Sequence, residues 1–248
     1  MLTLFTWGYS GWGNSTRKLV QAVDIAEKER GFKPPFFVDI RLRRNVRAKG
    51  FLGDAFERVL GAARYRHIPK LGNRFVATGE FGIKIDDPSA VPELLKLAIE
   101  CYRQKRRVLF FCSCEDLKTK SCHRKKVADL VLRESERQGR RIEIIEWPGY
   151  KPTHNTTVKV TSAMLKKVAG GRKSVSLGKS VNLKEFAGLA WGSVVTLQAG
   201  KQTLPIVSGP AKYHKGWCLQ VERHGKIGED AKRLKQWGVS FRKTKGLE

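Results

Sequence analysis

The chain has 248 residues, 41% of them hydrophobic, with 49 Lys and Arg against 23 Asp and Glu, a formal net charge of +26. This length buries a substantial core as one large domain or two ordinary ones, and the charge excess points to a polyanionic partner, nucleic acid first, without bearing on the fold. Long apolar spans, a basic amphipathic anchor and a secretory leader pattern are missing. Five cysteines, three of them in one loop, do not make a secreted disulfide framework, so membrane and secreted classes are set aside and a reducing cytoplasm is expected.

Through the first 150 residues strand-like and helix-like runs alternate. Leu2 to Trp7 reads as a short apolar strand, Gly8 to Gly13 as a glycine-rich turn, and Thr16 to Arg30 as a helix by its apolar spacing. Phe36 to Arg41 is a second strand, Phe51 to Ala63 helical, Tyr65 to Ile68 extended and Val91 to Gln104 helical. Arg107 to Cys112 forms the central strand, Arg124 to Gln138 a helix and Arg141 to Trp147 a last strand. The alternation predicts an α/β fold: a mostly parallel, Rossmann-like or flavodoxin-like sheet with helices on both faces.

Pro and Gly punctuate Trp147-Pro148-Gly149-Tyr150-Lys151-Pro152, and the character changes there. Thr157 to Val160, Val175 to Leu177, Val194 to Leu197, Leu204 to Val207 and Trp217 to Val221 are short runs between turns. They predict a smaller basic carboxyl-terminal domain, β-rich or α+β, over residues 151–248, after an α/β domain over residues 1–150. The first segment carries 30 basic and 18 acidic side chains and the second 19 and 5, so the second is the more basic per residue.

Three cysteines, a histidine and an arginine fall in the loop that follows the central strand, Cys112-Ser113-Cys114 to Cys122-His123-Arg124. Loops at the carboxyl ends of parallel strands are where open α/β sheets bind ligands, and a following helix start favours an anion. Four readings stay open for the cysteines. Cys112, Cys114, Cys122 and His123 offer a zinc ion four soft ligands, although the spacing lacks two-residue knuckles. Cys122 could instead be a nucleophilic or redox thiol beside Arg124. Cys114 and Cys122 could form a reversible disulfide. The favoured reading is small buried thiols flanking an anion loop, with no cofactor required.

Asp39 and Arg41 end the second strand, where a carboxylate can serve as general base or ribose ligand and an arginine can neutralise phosphate. His67 ends its own short strand and can act as acid or base. Gly8 and Ser10 in the first turn can approach a phosphate, although the turn is not the dinucleotide fingerprint. Trp7, Tyr9 and Trp12 beside it either stack on a base or close the core. Taken in order, the Gly8-Tyr9-Ser10 turn, Val38-Asp39-Ile40-Arg41, His67-Ile68-Pro69-Lys70-Leu71-Gly72-Asn73 and Cys122-His123-Arg124 resemble the bacterial and archaeal domain-of-unknown-function family 488, over roughly residues 1–150. The chain departs from that pattern in carrying Ile40 for valine and in lacking the proline and serines that often follow the Asp-Val-Arg motif. The resemblance implies a pocket lined by Asp39, Arg41, His67, Asn73, Cys122, His123 and Arg124, and no particular reaction. In it Asp39, His67 and Cys122 are the catalytic candidates, while Arg41, Asn73, His123, Arg124, Gly8 and Ser10 bind an anion or nucleotide.

Arg41, Arg43, Arg44, Arg47 and Lys49 place five cations in nine positions with no acid between them, a candidate phosphate-contacting stretch. Lys212, Lys215, Arg223, Lys232 and Arg233, interleaved with aromatics such as Tyr213 and Trp217, make a second. The expected function is that of a nucleic-acid-associated enzyme, a hydrolase or transferase acting on a phosphodiester or N-glycosidic bond. The alternative is a non-catalytic DNA- or RNA-binding protein whose pocket holds a nucleotide, a phosphate or a structural metal. No membrane partner is expected, and no oligomeric state follows.

Overall fold

The computed structural model describes residues 1–10, 12, 15–114, 122–149, 156–178 and 181–227. The chain divides into two compact units, Met1–Gly149 and Tyr150–Glu248. The first runs β1 (Leu2–Gly8), α1 (Thr16–Glu29), β2 (Lys33–Asp39), α2 (Ala55–Leu60), β3 (Tyr65–His67), α3 (Phe75–Thr78), α4 (Val91–Arg103), β4 (Arg106–Cys112), α5 (His123–Arg137) and β5 (Ile142–Glu146). Its five strands form one all-parallel sheet in the order β3-β2-β4-β1-β5. The expected α/β fold is present, in a strand order that differs from the Rossmann and flavodoxin sheets because β4 separates β1 from β2.

Both faces of the sheet are covered, as the apolar runs of the central strands require. Side chains alternate along a strand. Leu4, Val38, Val108 and Phe110 point to the face packed by Leu94, Leu95 and Ala98 of α4 and by Val127 and Val131 of α5. On the other face Phe37 and Phe111 meet Phe56 of α2 edge-to-face, Phe111 meets Phe51 in the same way, and Trp7 lies tilted against Phe51. The same face carries a buried ion-pair cluster in which Glu27 of α1 accepts from Arg107 at 2.6 Å, Arg30 at 3.0 Å and the Trp147 indole at 3.2 Å.

The helix expected over Phe51 to Ala63 is shorter. Gly53 (φ +54°) and Gly61 (φ +78°) hold positive φ, which ends α-helical progression on both sides and leaves α2 between two 3-10 turns, Lys49–Phe51 and Ala62–Arg64. Because all strands are parallel, Gly8, Asp39, His67, Cys112 and Glu146 end at one sheet edge. Gly8 is paired with Cys112, and Asp39 with Phe111 and His67. The β1-to-β2 crossover passes β4 and the β4-to-β5 crossover passes β1 in the opposite direction. Right-handed connections then place α1 and α5 on opposite faces and open the carboxyl edge between β1 and β4.

The second unit has β6 (Thr156–Lys159), α6 (Ser162–Ala169), β7 (Ser174–Gly178), α7 (Leu183–Phe186), β8 (Ser193–Ala199), β9 (Gln202–Ser208), β10 (Lys212–Tyr213), β11 (Trp217–Gln220) and β12 (Arg223–His224). One sheet runs β12-β9-β8-β6 and the other β10-β11-β7, so the unit is α+β and rich in strands. Helix α6 was not evident from strand-like runs; its signal is Thr161, whose hydroxyl caps the helix by accepting from Met164 N at 3.2 Å. Among the described residues no helix is long and apolar enough to cross a membrane.

Candidate functional site

Three thiols converge where β4 ends and α5 begins. Cys112 closes β4, Cys114 lies two residues on, and Cys122 is the N-cap residue of α5. Their sulfurs all lie within 4.8 Å of one another. Cys112 Sγ is 3.7 Å from Cys122 Sγ, and Cys114 N donates to Cys112 Sγ at 3.3 Å. The approach needs Gly8, since a Cβ there would sit 1.6 Å from the Cys114 carbonyl oxygen.

Arg124 is wholly buried behind this cluster. Its Nε donates to Cys122 Sγ at 3.4 Å, its Nη2 to the Cys114 carbonyl at 3.5 Å, and its Nη1 to Glu146 Oε1 and Oε2 at 2.8 and 3.1 Å. Hydrogen bonds from the Cys112 and Cys114 thiols, reinforced by the Arg124 charge, hold the Cys122 thiol far below its ordinary range. The two neighbouring thiols shift the other way. Cys112 is pushed up by its hydrogen bonds to Cys114 and Cys122 and by burial, and at Cys114 the Cys122 contact and burial outweigh the lowering effect of Cys112. The cluster thus places three sulfurs within reach of one buried guanidinium, which favours negative charge on sulfur. Burial raises Glu146, against the pull of Arg124 and of the Thr6 hydroxyl that donates to it at 2.8 Å.

His123 does not join the thiols. A carbonyl oxygen only accepts, so the 3.1 Å contact to Ile40 O makes His123 Nε2 the donor and turns the ring toward β2. The zinc option of four ligands reduces to three thiols among the described residues: Cys122 and His123 are chain neighbours whose side chains leave the helix start in different directions. His67 Nε2 likewise donates to Arg41 O at 2.7 Å. The two rings satisfy consecutive carbonyls beyond the end of β2, one from the β4 side and one from the β3 side, where neighbouring strands no longer supply amides. Burial also lowers the His123 pKa.

Asp39 and Arg41 form a closed pair. Asp39 is 0% exposed; Oδ1 accepts from Arg41 N and Nε at 3.0 and 2.8 Å, and Oδ2 from Arg41 Nη2 at 2.5 Å and the Tyr65 hydroxyl at 2.8 Å. Arg41 Nη1 reaches the Phe51 carbonyl at 3.0 Å and the Tyr9 hydroxyl at 3.3 Å, with the guanidinium over the Tyr9 and Phe111 rings. Burial and the Asp39 charge raise the Tyr65 phenol. Of the two readings of Trp7, Tyr9 and Trp12, the structure selects core closure: all three are buried, and Tyr9 stacks on Phe51 with centroids 4.0 Å apart. Ser10 is half-buried beside them, while Gly11 and Gly13 lie outside the described residues.

The remaining motif residues shape a loop. Gly72 packs on the chain at Leu42, where a Cβ would lie 2.4 Å from Leu42 N. Asn73 Oδ1 accepts from Lys84 N at 2.9 Å and Phe75 N at 3.3 Å, and Nδ2 donates to Gly82 O at 3.0 Å. Asn73 therefore staples the base of a loop. A Gly72→Ala chain is expected to lose about 1–3 kcal/mol of stability, because backbone has to yield to the new methyl group; equal urea midpoints for variant and wild type would contradict the close approach.

Arg43, Arg47 and Lys49 are exposed, whereas Arg44 is half-buried and pairs with Glu57 at 2.8 Å. In the second unit Lys212 lies 5.5 Å from the Trp191 ring centroid, Lys215 and Arg223 are exposed, and Lys232 and Arg233 lie outside the described residues. Sequence reasoning passed over Tyr65 and Glu146. Tyr65 carried no local signal, but Glu146, ending the last parallel strand, follows from the rule that placed Asp39. No family model, curated protein or solved structure matches this chain.

Proposed function

We propose that this protein binds nucleic acid and holds a soft divalent metal, zinc by donor chemistry, on Cys112, Cys114 and Cys122 at the carboxyl edge of its amino-terminal unit. The carrying observation is the convergence of the three sulfurs. A Cys112–Cys122 separation of 3.7 Å exceeds the disulfide bond length of about 2 Å. It is close to the roughly 3.8 Å between two sulfurs each 2.3 Å from a tetrahedral zinc. Zinc there would stabilise the fold and, with a position open, act as a Lewis acid toward an oxygen ligand. Arg124 and the start of α5 supply positive charge that favours deprotonated sulfur. The +26 charge supports DNA or RNA as the partner, and reduced thiols suit the cytoplasm.

This is the binding-protein alternative, and it is favoured over an Asp39-centred hydrolase or transferase because every Asp39 oxygen contact is internal. Arg41 and Arg124 are scaffold on this reading, since their guanidinium groups are engaged by Asp39 and Glu146. One observation keeps an enzyme reading in view: with Nε2 donating, a neutral His67 or His123 carries its lone pair on Nδ1 and can accept a proton. The motif resemblance to family 488 supports this edge as the shared site. Elemental analysis of the full chain purified under reducing conditions is expected to find one zinc per chain, lost in a Cys112→Ser, Cys122→Ser double variant. A metal-free wild type whose three thiols all alkylate freely would overturn the proposal.

A further inference from the structure

Phe81 is 101% exposed and Val76 64%, which places a phenyl ring entirely in water on a loop that is otherwise firmly built. The loop leaves the sheet edge after Gly72 and returns at Ile85, where Asn73 and Ile85 form a β-bridge. Its base is closed by the Asn73 side chain, by Arg74 N donating to Lys84 O at 2.7 Å, and by Asp86 N donating to Gly72 O at 3.0 Å. Gly79 (φ +77°) and Gly82 (φ +102°) turn the chain sharply on either side of Glu80 and Phe81. A single exposed hydrophobic is ordinary on a protein surface; what marks this ring is the stapled loop base that holds it out.

Charge around the arm identifies that partner. Gly72 rests on Leu42, so the base of the arm abuts the segment that carries Arg43, Arg47 and Lys49. Those three cations are exposed, with no ion-pair partner among the described residues. Lys126 of α5 reaches the Ile83 carbonyl at 3.4 Å, which joins the first turn of that helix to the same surface. Asp86 and Asp87, just past the loop's return, are matched by Arg74 at 3.9 Å and Lys70 at 3.2 Å, while Glu80 beside Phe81 is exposed. Cations at the base of the arm and an aromatic ring at its tip suit a polyanion that also carries flat rings able to stack on a side chain. Bases of a duplex are held between their neighbours by pairing and stacking, whereas single-stranded bases can be splayed out onto an aromatic side chain.

We infer that the arm over residues 73–85 and the segment Arg43, Arg47 and Lys49 form a surface for single-stranded nucleic acid, with a base stacking on Phe81 and phosphates on the cations. This rests on the nucleic-acid reading above and specifies where and in what form the strand binds. Anisotropy titrations of the full chain would use labelled oligothymidine, oligouridine and a DNA duplex. Phe81→Ala is expected to bind both single strands roughly tenfold more weakly, within the range for loss of one stacked base, with duplex affinity unchanged. Phe81→Trp is expected to restore the affinity. Replacing Arg43, Arg47 and Lys49 together by alanine is expected to flatten the salt slope for single strands by about two, for three lost phosphate contacts. Single-strand affinity unchanged in Phe81→Ala, or lost equally for duplex, would overturn the assignment of the arm. Wild type that binds neither form would instead overturn the nucleic-acid reading itself. Since Phe81 touches solvent alone, neither substitution threatens the fold.

Discussion

Removing the Asp39 carboxylate as Asp39→Ala is expected to lower the unfolding free energy by about 3–5 kcal/mol, the usual cost of leaving one partner of a buried ion pair behind. The Arg41 guanidinium is 5% exposed and lies between Phe111 and Tyr9, so water cannot replace the lost anion without disrupting the aromatic cluster. Tyr65 loses its acceptor in the same step, and an unsatisfied buried hydroxyl adds to the penalty. Asp39→Asn keeps one acceptor oxygen without the charge and is expected to fall between wild type and Asp39→Ala. Urea unfolding followed by circular dichroism measures both. A catalytic carboxylate held ready for substrate behaves in the opposite way, because such groups are strained and their neutralisation leaves stability unchanged or higher. An Asp39→Asn chain as stable as wild type that has lost a nucleotide-directed activity would return Asp39 to the role of base.

Much of this edge was legible because parallel topology needs little information. Alternating apolar runs and helical spacing are enough to make β1, β2, β3 and β4 parallel strands of one sheet, and parallel strands deliver their last residues to one side. That places Asp39, His67 and Cys112 together without any knowledge of strand order. The order itself, with β4 inserted between β1 and β2, leaves no local trace because each crossover is long enough to pass one strand or two. Burial was the second blind spot. Asp39 and Arg41 look like pocket residues in a sequence, where charge implies solvent; only the aromatic rings of Tyr9, Phe51 and Phe111, brought from three distant segments, show that the pair is enclosed. The same holds for His123, whose ring bonds a carbonyl 83 positions away. Spacing could count it as a fourth ligand but could not aim it. In the second unit, short strands and turns were enough for a β-rich α+β module, while the pairing of β6 parallel to β8 depends on α6, whose weak amphipathic run was hidden among lysines.

Arg124→Ala is expected to be the other severely destabilising change, by about 3–5 kcal/mol near neutral pH, for the same reason applied to anions: Glu146 and the Cys122 thiolate stay behind without their cation. Its pH dependence separates this role from that of an exposed anion clamp. The folded-state pKa of Glu146 is already raised by burial even though Arg124 pulls it down, so removing Arg124 raises it further. A carboxyl group whose pKa is raised on folding contributes stability that is complete below its unfolded pKa and lost as pH rises through the folded value. The deficit of Arg124→Ala relative to wild type is therefore expected to be smaller at pH 5 than at pH 8, because the variant's Glu146 takes up a proton more readily than the wild type's. Unfolding curves of both chains at the two pH values give the comparison directly. A deficit that stays flat across this range would mean that Glu146 is not a charge Arg124 neutralises. A variant of wild-type stability that had lost only anion binding would show that the guanidinium serves a ligand and not the fold.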